Sequence, residues 1–185
     1  MTIILVRHAP TAWSGRRYCG RSDPPLDVAG EMTAALLAGQ LAPTLAPGTR
    51  IVTSPSRRAR TTATAIANAA GIDDVTDDDR WSEADFGTAE GLTFEELERL
   101  APDLARKLAN GETAIDWPEG ERSAELADRV TAAWREIAGS GDDAVIVSHA
   151  GPLRIAIGLA TGQPAGAVEM PPPGAVIRLP ATVSG

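Results

Sequence analysis

Ala144-Val145-Ile146-Val147-Ser148-His149-Ala150-Gly151-Pro152 joins an apolar run to a histidine and then to small residues. Ile3-Ile4-Leu5-Val6-Arg7-His8-Ala9-Pro10 repeats that arrangement near the start of the chain. Both runs are short, rich in β-branched residues and without polar alternation, the pattern of a strand buried on both faces. His8 and His149 are the only 2 histidines in 185 residues, and each stands at the exit of such a strand.

Working outward, Arg50-Ile51-Val52-Thr53 reads as a third strand. Val176-Ile177-Arg178-Leu179 reads as a late one, after the Pro171-Pro172-Pro173-Gly174 turn. Alanine-rich segments with apolar residues at three-to-four spacing occupy about 28–42, 57–70, 123–139 and 152–161, and these predict helices. Strands interleaved with helices imply an α/β protein with a mostly parallel central sheet and helices on both faces. Thr93-Phe94-Glu95-Glu96 fits a capping box, Ser123 is placed to cap the helix after it, and Gly71 and Gly162 to close theirs. Residues 10–25 and the acidic stretch 72–92 carry the least regular pattern.

The length suits one domain with a substantial core. No apolar run approaches the roughly 20 residues of a membrane span, so no membrane partner is expected. Thr2 to Val6 is too short for a signal-peptide core and is read as mature sequence. Cys19 is the only cysteine, which excludes an internal disulfide and a cysteine metal cluster and fits a cytoplasmic protein. A net charge of −8 argues against a nucleic-acid partner. Residues 1–72 nevertheless carry eight arginines against three acids, while 73–103 are strongly acidic. Taken alone, that asymmetry reads as solvated helix faces; beside the strand-end histidines it suits a small anionic ligand. Nothing in the sequence bears on oligomeric state.

Two imidazoles at strand exits would converge if their strands are neighbours, because ligands of open α/β sheets sit beyond the carboxyl ends of the strands. Metal binding would need further ligands, and none lies beside either histidine at a spacing such as His-x-x-x-His. Anion chemistry fits better. A neutral imidazole is a competent nucleophile toward phosphorus, and arginine forks match phosphoryl oxygens. Arg7 adjoins His8, and Arg57, Arg58 and Arg60 open the helix after the third strand; one of these three is expected in the site. A proton donor is needed as well. Trp81-Ser82-Glu83-Ala84-Asp85-Phe86 places carboxylates between aromatic residues, where desolvation favours the protonated form, with Glu83 preferred over Asp85.

Leu5-Val6-Arg7-His8-Ala9-Pro10-Thr11 resembles the signature of the histidine phosphatase superfamily, which includes the cofactor-dependent phosphoglycerate mutases. The likeness continues in order through Gly20-Arg21-Ser22-Asp23-Pro24-Pro25-Leu26, through Ser54-Pro55-Ser56-Arg57-Arg58-Ala59 with Thr62-Ala63, through Glu83 with Phe86-Gly87 and Glu90-Gly91, and through Val147-Ser148-His149-Ala150-Gly151. It implies one histidine phosphatase domain over 1–185, its last residues (about 181–185) a loose tail, folded as a three-layer sandwich. It also implies a phosphohistidine mechanism with no metal and no cofactor. On this resemblance His8 is the nucleophile, Arg7, Arg58 and His149 hold the phosphoryl group, and Glu83 is the acid and base. Thr11 and Ser14 are further phosphate-binding candidates.

The chain departs from the family pattern at Ala9, where glycine is usual, at Ser14, where mutase-like members tend to have asparagine, and at Gly120-Glu121-Arg122 for Gly-Glu-Ser. Because Pro10 follows, Ala9 is expected to be extended, with no positive φ. The chain is compact where mutases carry insertions, which favours hydrolysis of a small phosphorylated metabolite over phosphoryl return. Tyr18-Cys19-Gly20-Arg21-Ser22-Asp23-Pro24-Pro25-Leu26 most resembles the α-ribazole phosphatases. The alternatives are a mutase, a broad-specificity sugar-phosphate phosphatase, or a phosphate-binding regulatory protein without turnover.

Overall fold

A computed structural model describes residues 1–180, so the tail expected at about 181–185 lies outside the described residues. Strands β1 (Thr2–Arg7), β2 (Arg50–Thr53), β3 (Val75–Asp77), β4 (Ala144–Ser148) and β5 (Val176–Pro180) form one sheet in the order β3-β2-β4-β1-β5. β1, β2, β3 and β4 are parallel, and β5 runs antiparallel to β1. The two histidine-bearing strands are direct neighbours, with Arg7 paired to Ser148 in register.

The lack of alternation in β1 and β4 has the expected cause: both faces are covered. Ile3, Leu5 and Ile146 face one core with Val130, Trp134 and Ile137 of α5 (Ser123–Ser140) and Leu153 of α6 (Ala150–Thr161). Ile4, Val6 and Val147 face the other, with Leu37 of α1 (Val28–Leu41) and Ala63 and Ile66 of α2 (Arg57–Ala70). Full burial of each such side chain contributes about 1.5–3 kcal/mol, so together these two layers hold the strand exits in place.

Two further helices, α3 (Phe94–Leu100) and α4 (Pro102–Ala109), stand apart around a third cluster containing Ala89, Leu97 and Leu104. The Thr93–Glu96 capping box forms, with Thr93 N donating to Glu96 at 2.8 Å and Glu96 N to Thr93 Oγ1 at 3.2 Å. Gly71 and Gly162 close α2 and α6 in the left-handed region, as expected. Ser123 departs from expectation. It is the first residue of α5, and its N–H and hydroxyl both donate to Asp116 Oδ1, at 2.8 and 3.1 Å. An acid seven residues upstream thus supplies the cap, since a carboxylate accepts both bonds and complements the helix dipole. The acidic stretch 72–92 is also more ordered than its composition suggested: it contains β3 and short 3-10 turns at Asp79–Trp81 and Gly87–Ala89.

Candidate active site

Three adjacent strands, β2, β4 and β1, deliver the chemistry at one end of the sheet. His8 follows β1 and is buried, its N–H held by Ser148 O at 2.9 Å. Its ring centroid lies 5.0 Å from that of His149, the residue after β4. His8 Nδ1 is 2.7 Å from Ala9 O. A carbonyl can only accept, so Nδ1 carries the proton and Nε2 presents a free lone pair. Burial, reinforced by the Arg58 charge, pushes the His8 pKa down to about 3, which keeps the ring neutral near pH 7.

His149 is buried and lies well below its ordinary pKa for the same first reason, with His8 and Arg58 adding to the shift. Arg58 Nη2 donates to His149 Nδ1 at 3.3 Å, which leaves Nε2–H to donate to Ser54 Oγ at 2.8 Å. The third strand exit supplies both partners.

Of the three arginines that open α2, only Arg58 is buried, at 1% exposure. Arg57 and Arg60 are exposed, Arg60 pairing with Asp77. Arg58 is held by the carbonyls of Ser22 and Gly20, at 2.6 and 2.8 Å. Those carbonyls are in turn held by Glu90, whose carboxylate accepts from the amides of Gly20, Arg21 and Ser22 at 3.2, 2.7 and 3.2 Å. Arg7 donates to Pro171 O at 2.6 Å. In both Arg7 and Arg58 the Nε–H is buried without a partner. Orphaned buried donors are rare, and two arginines carrying them beside a neutral histidine make a ready anion site.

Glu83 is buried, with Oε1 accepting from Ala84 N at 3.0 Å and Oε2 from Gly151 N at 3.3 Å. Burial raises its pKa, against the opposing pull of those amides and of Arg7 and Arg58, so the carboxyl is poised to hold a proton. Arg129, which the sequence reading missed, fixes the acid-bearing loop. It donates to the carbonyls of Arg80 and Ser82, each at 2.8 Å, and of Glu83 at 3.1 Å, and it pairs with Glu121 at 2.6 and 2.8 Å. No local sequence signal marks this clamp, because its partners lie 8 to 49 residues away.

Arg7, His8, Thr11, Ser14 and Glu83 open onto one cavity of about 630 Å³, and Glu83 and His149 line a second of about 210 Å³. Thr11 and Ser14 bond locally: Ser14 Oγ accepts from Thr11 N at 2.9 Å, and Thr11 Oγ1 from Trp13 N at 3.2 Å. Ala9 is buried and is not among the residues with positive φ, in keeping with the proline after it. Among the described residues, no group of three or more potential ligating side chains could hold a metal ion.

A buried neutral histidine with a free Nε2, two arginines with unpartnered donors and a carboxyl inclined to protonation form a set suited to phosphoryl transfer. The sequence model described as Histidine phosphatase superfamily (branch 1) matches residues 3–178. The chain belongs to that superfamily and is an enzyme of its phosphatase class. It is 38% identical over 168 residues to a "probable phosphoglycerate mutase GpmB" of Citrobacter koseri, a match that covers 89% of this chain and 77% of the relative. It is 38% identical over 161 residues to a "bifunctional protein" of Mycobacterium tuberculosis, covering 85% of this chain and only 43% of that longer protein. Among solved structures, a mycobacterial glucosyl-3-phosphoglycerate phosphatase superposes with a TM-score of 0.83 at 25% identity, covering 96% of this chain and 88% of the other. No helix among the described residues is long and apolar enough to cross a membrane.

Proposed function

We propose that the chain hydrolyses a small phosphorylated metabolite through a phosphohistidine at His8, without a metal. The observation that carries this reading is the His8 Nδ1–H bond to Ala9 O, which leaves Nε2 unprotonated beside two unpartnered arginine donors. His8 Nε2 attacks phosphorus while the bond to the leaving oxygen breaks. The Glu83 proton passes to that oxygen, and the alcohol departs. Arg7 and Arg58 stabilise the charge on the phosphoryl oxygens, and His149 joins them by exchanging one of its present bonds. The Glu83 carboxylate then takes a proton from water, the oxygen attacks phosphorus, the bond to His8 breaks and inorganic phosphate leaves. Thr11 and Ser14 line the approach as secondary phosphate contacts.

Hydrolysis is favoured over mutase chemistry by the compact segment between Glu83 and the second histidine motif. The leaving group that Tyr18–Leu26 points to is α-ribazole, and the reaction is placed in the cytoplasm. Rapid acid quench with a labelled phosphomonoester, run in base as well, tests the mechanism. Acid-labile, base-stable label on the peptide containing His8 is expected. Label on Cys19 or on a serine refutes it.

A further inference from the structure

The cavity at the site is far larger than a phosphoryl group requires. At about 630 Å³ it lies in the range that encloses a drug-sized ligand. Trp13, Tyr18, Phe86 and Trp117 line it, which is 4 of the chain's 7 aromatic residues. Phe86 and Trp117 stack with centroids 4.1 Å apart at 32°, and Tyr18 stands edge-on to Phe86 at 6.3 Å and 81°. Tyr18, Phe86 and Trp117 pack against the cluster beneath α3 and α4, yet they and Trp13 remain only half-buried.

The chain builds this wall deliberately. The amide of Thr88 donates to Pro118 O at 3.0 Å and that of Glu121 to Asp85 O at 2.9 Å, so the 117–121 turn lies against 85–88 and brings Trp117 onto Phe86. The approach is close enough that Gly87, at φ 52°, has no room for a Cβ against Pro118 O.

The charges around the outer cavity point the same way. Apart from Arg7, three arginines line it, and each already has a hydrogen-bond partner within the protein. Arg17 donates to Gly91 O at 2.6 Å, Arg122 pairs with Glu125 at 2.6 Å, and Arg154 is spent on the carbonyls of Val168 and Ala165, both at 3.1 Å. Glu112 adds negative charge to the lining, while Glu121 is paired with Arg129. A planar apolar group entering there would meet ring faces.

Resting on the phosphomonoesterase reading, we propose that the outer cavity is a leaving-group subsite for a neutral alcohol bearing a planar aromatic group. Trp117 and Phe86 are its specificity-determining wall.

The test compares kcat/KM for 2-phenylethyl phosphate, glycerol 3-phosphate and 3-phosphoglycerate, three esters of alkanol-type leaving groups. Ring stacking of ordinary strength predicts that the first exceeds each of the other two by roughly 10- to 100-fold. Trp117→Ala and Phe86→Leu are expected to collapse the phenylethyl-to-glycerol ratio toward one, and Trp117→Phe to keep most of it. The wild-type comparison stands even if a variant fails to fold. The subsite is overturned if 3-phosphoglycerate is the best of the three, or if a folded Trp117→Ala keeps the full ratio. If no ester is turned over and no phosphohistidine forms, it is the phosphomonoesterase reading that fails.

Discussion

Replacing Gly151 with alanine tests the role of Glu83 without touching a charged group. Gly151 lies in the first turn of α6, and a Cβ there would overlap Glu83 Oε1, well inside any separation real side chains keep. The next nearest atoms, Glu83 Cδ and Leu126 Cδ2, would stand at an ordinary 3.5 Å, so the clash is confined to the carboxyl. The carboxyl must swing away by about 1 Å, and a displacement of that size costs on the order of 100-fold in rate. Loss of the general acid altogether costs about 10²–10⁴-fold, which bounds the effect from above. The helix itself gains from the change, since alanine exceeds glycine by about 0.5–1 kcal/mol within a helix. Gly151→Ala is therefore expected to keep its thermal midpoint within a few degrees while kcat on an alkyl phosphate falls by roughly 100-fold. With p-nitrophenyl phosphate, whose leaving group needs little protonation, a stopped-flow burst near one equivalent should precede slow turnover. A folded variant with parental turnover on the alkyl ester would refute the assignment of Glu83.

The Arg129 clamp predicts that Arg129→Met and Arg129→Lys both lower kcat more for an alkyl than for a nitrophenyl ester. Lysine should fail to rescue because it lacks the planar fork that reaches three carbonyls and Glu121. Equal loss on both esters would show a general packing defect instead. Stability should also depend on pH. His8, at about 3 against its ordinary 6.5, and His149, shifted the same way, have folded pKa values below the unfolded ones. Their contribution is complete above about pH 6.5 and is lost as pH falls toward the folded values, because the unfolded chain then binds the extra protons. Glu83 is shifted up and works in the opposite sense, its contribution fading as pH rises through its folded value. Urea midpoints should drop between about pH 7 and 5, and by less in His8→Gln; an unchanged drop would count against the buried neutral imidazole. Finally, activity should survive exhaustive EDTA treatment, and loss restored only by a divalent cation would overturn the metal-free mechanism.

The strands at 3–6 and 144–147 were legible because a strand covered on both faces shows as an uninterrupted apolar run, and those at 50–53 and 176–179 because their β-branched residues form short runs beside turn signals. β3 was not: Val75-Thr76-Asp77 is a three-residue edge strand inside an acidic stretch and offers one apolar side chain. Arg58 could not be told from Arg57 and Arg60 by local pattern, since which of them turns inward depends on carbonyls 36 and 38 residues away. The conjunction of His8 with His149 was legible only as a condition, that their strands be neighbours, which the sheet order satisfies. Arg129, Asp116 and the contact of Gly151 with Glu83 were silent for one reason. Each acts on residues distant in sequence, and no periodicity records that.

The order β3-β2-β4-β1-β5 has a consequence for how the molecule comes into being. β1 emerges first from the ribosome, yet both of its partners lie beyond residue 143. Thr2 pairs across to Pro180, and Ile3 to Ala144 and Leu179. β2 and β3, with α2 between them, can associate locally, but the strand that leads to His8 must wait unpaired until almost the whole of this sheet has been synthesised. Pairing of such long range is slow to form, and an apolar strand held open is exposed to aggregation in the interval. The strand that delivers His8 is therefore also the one whose pairing waits longest.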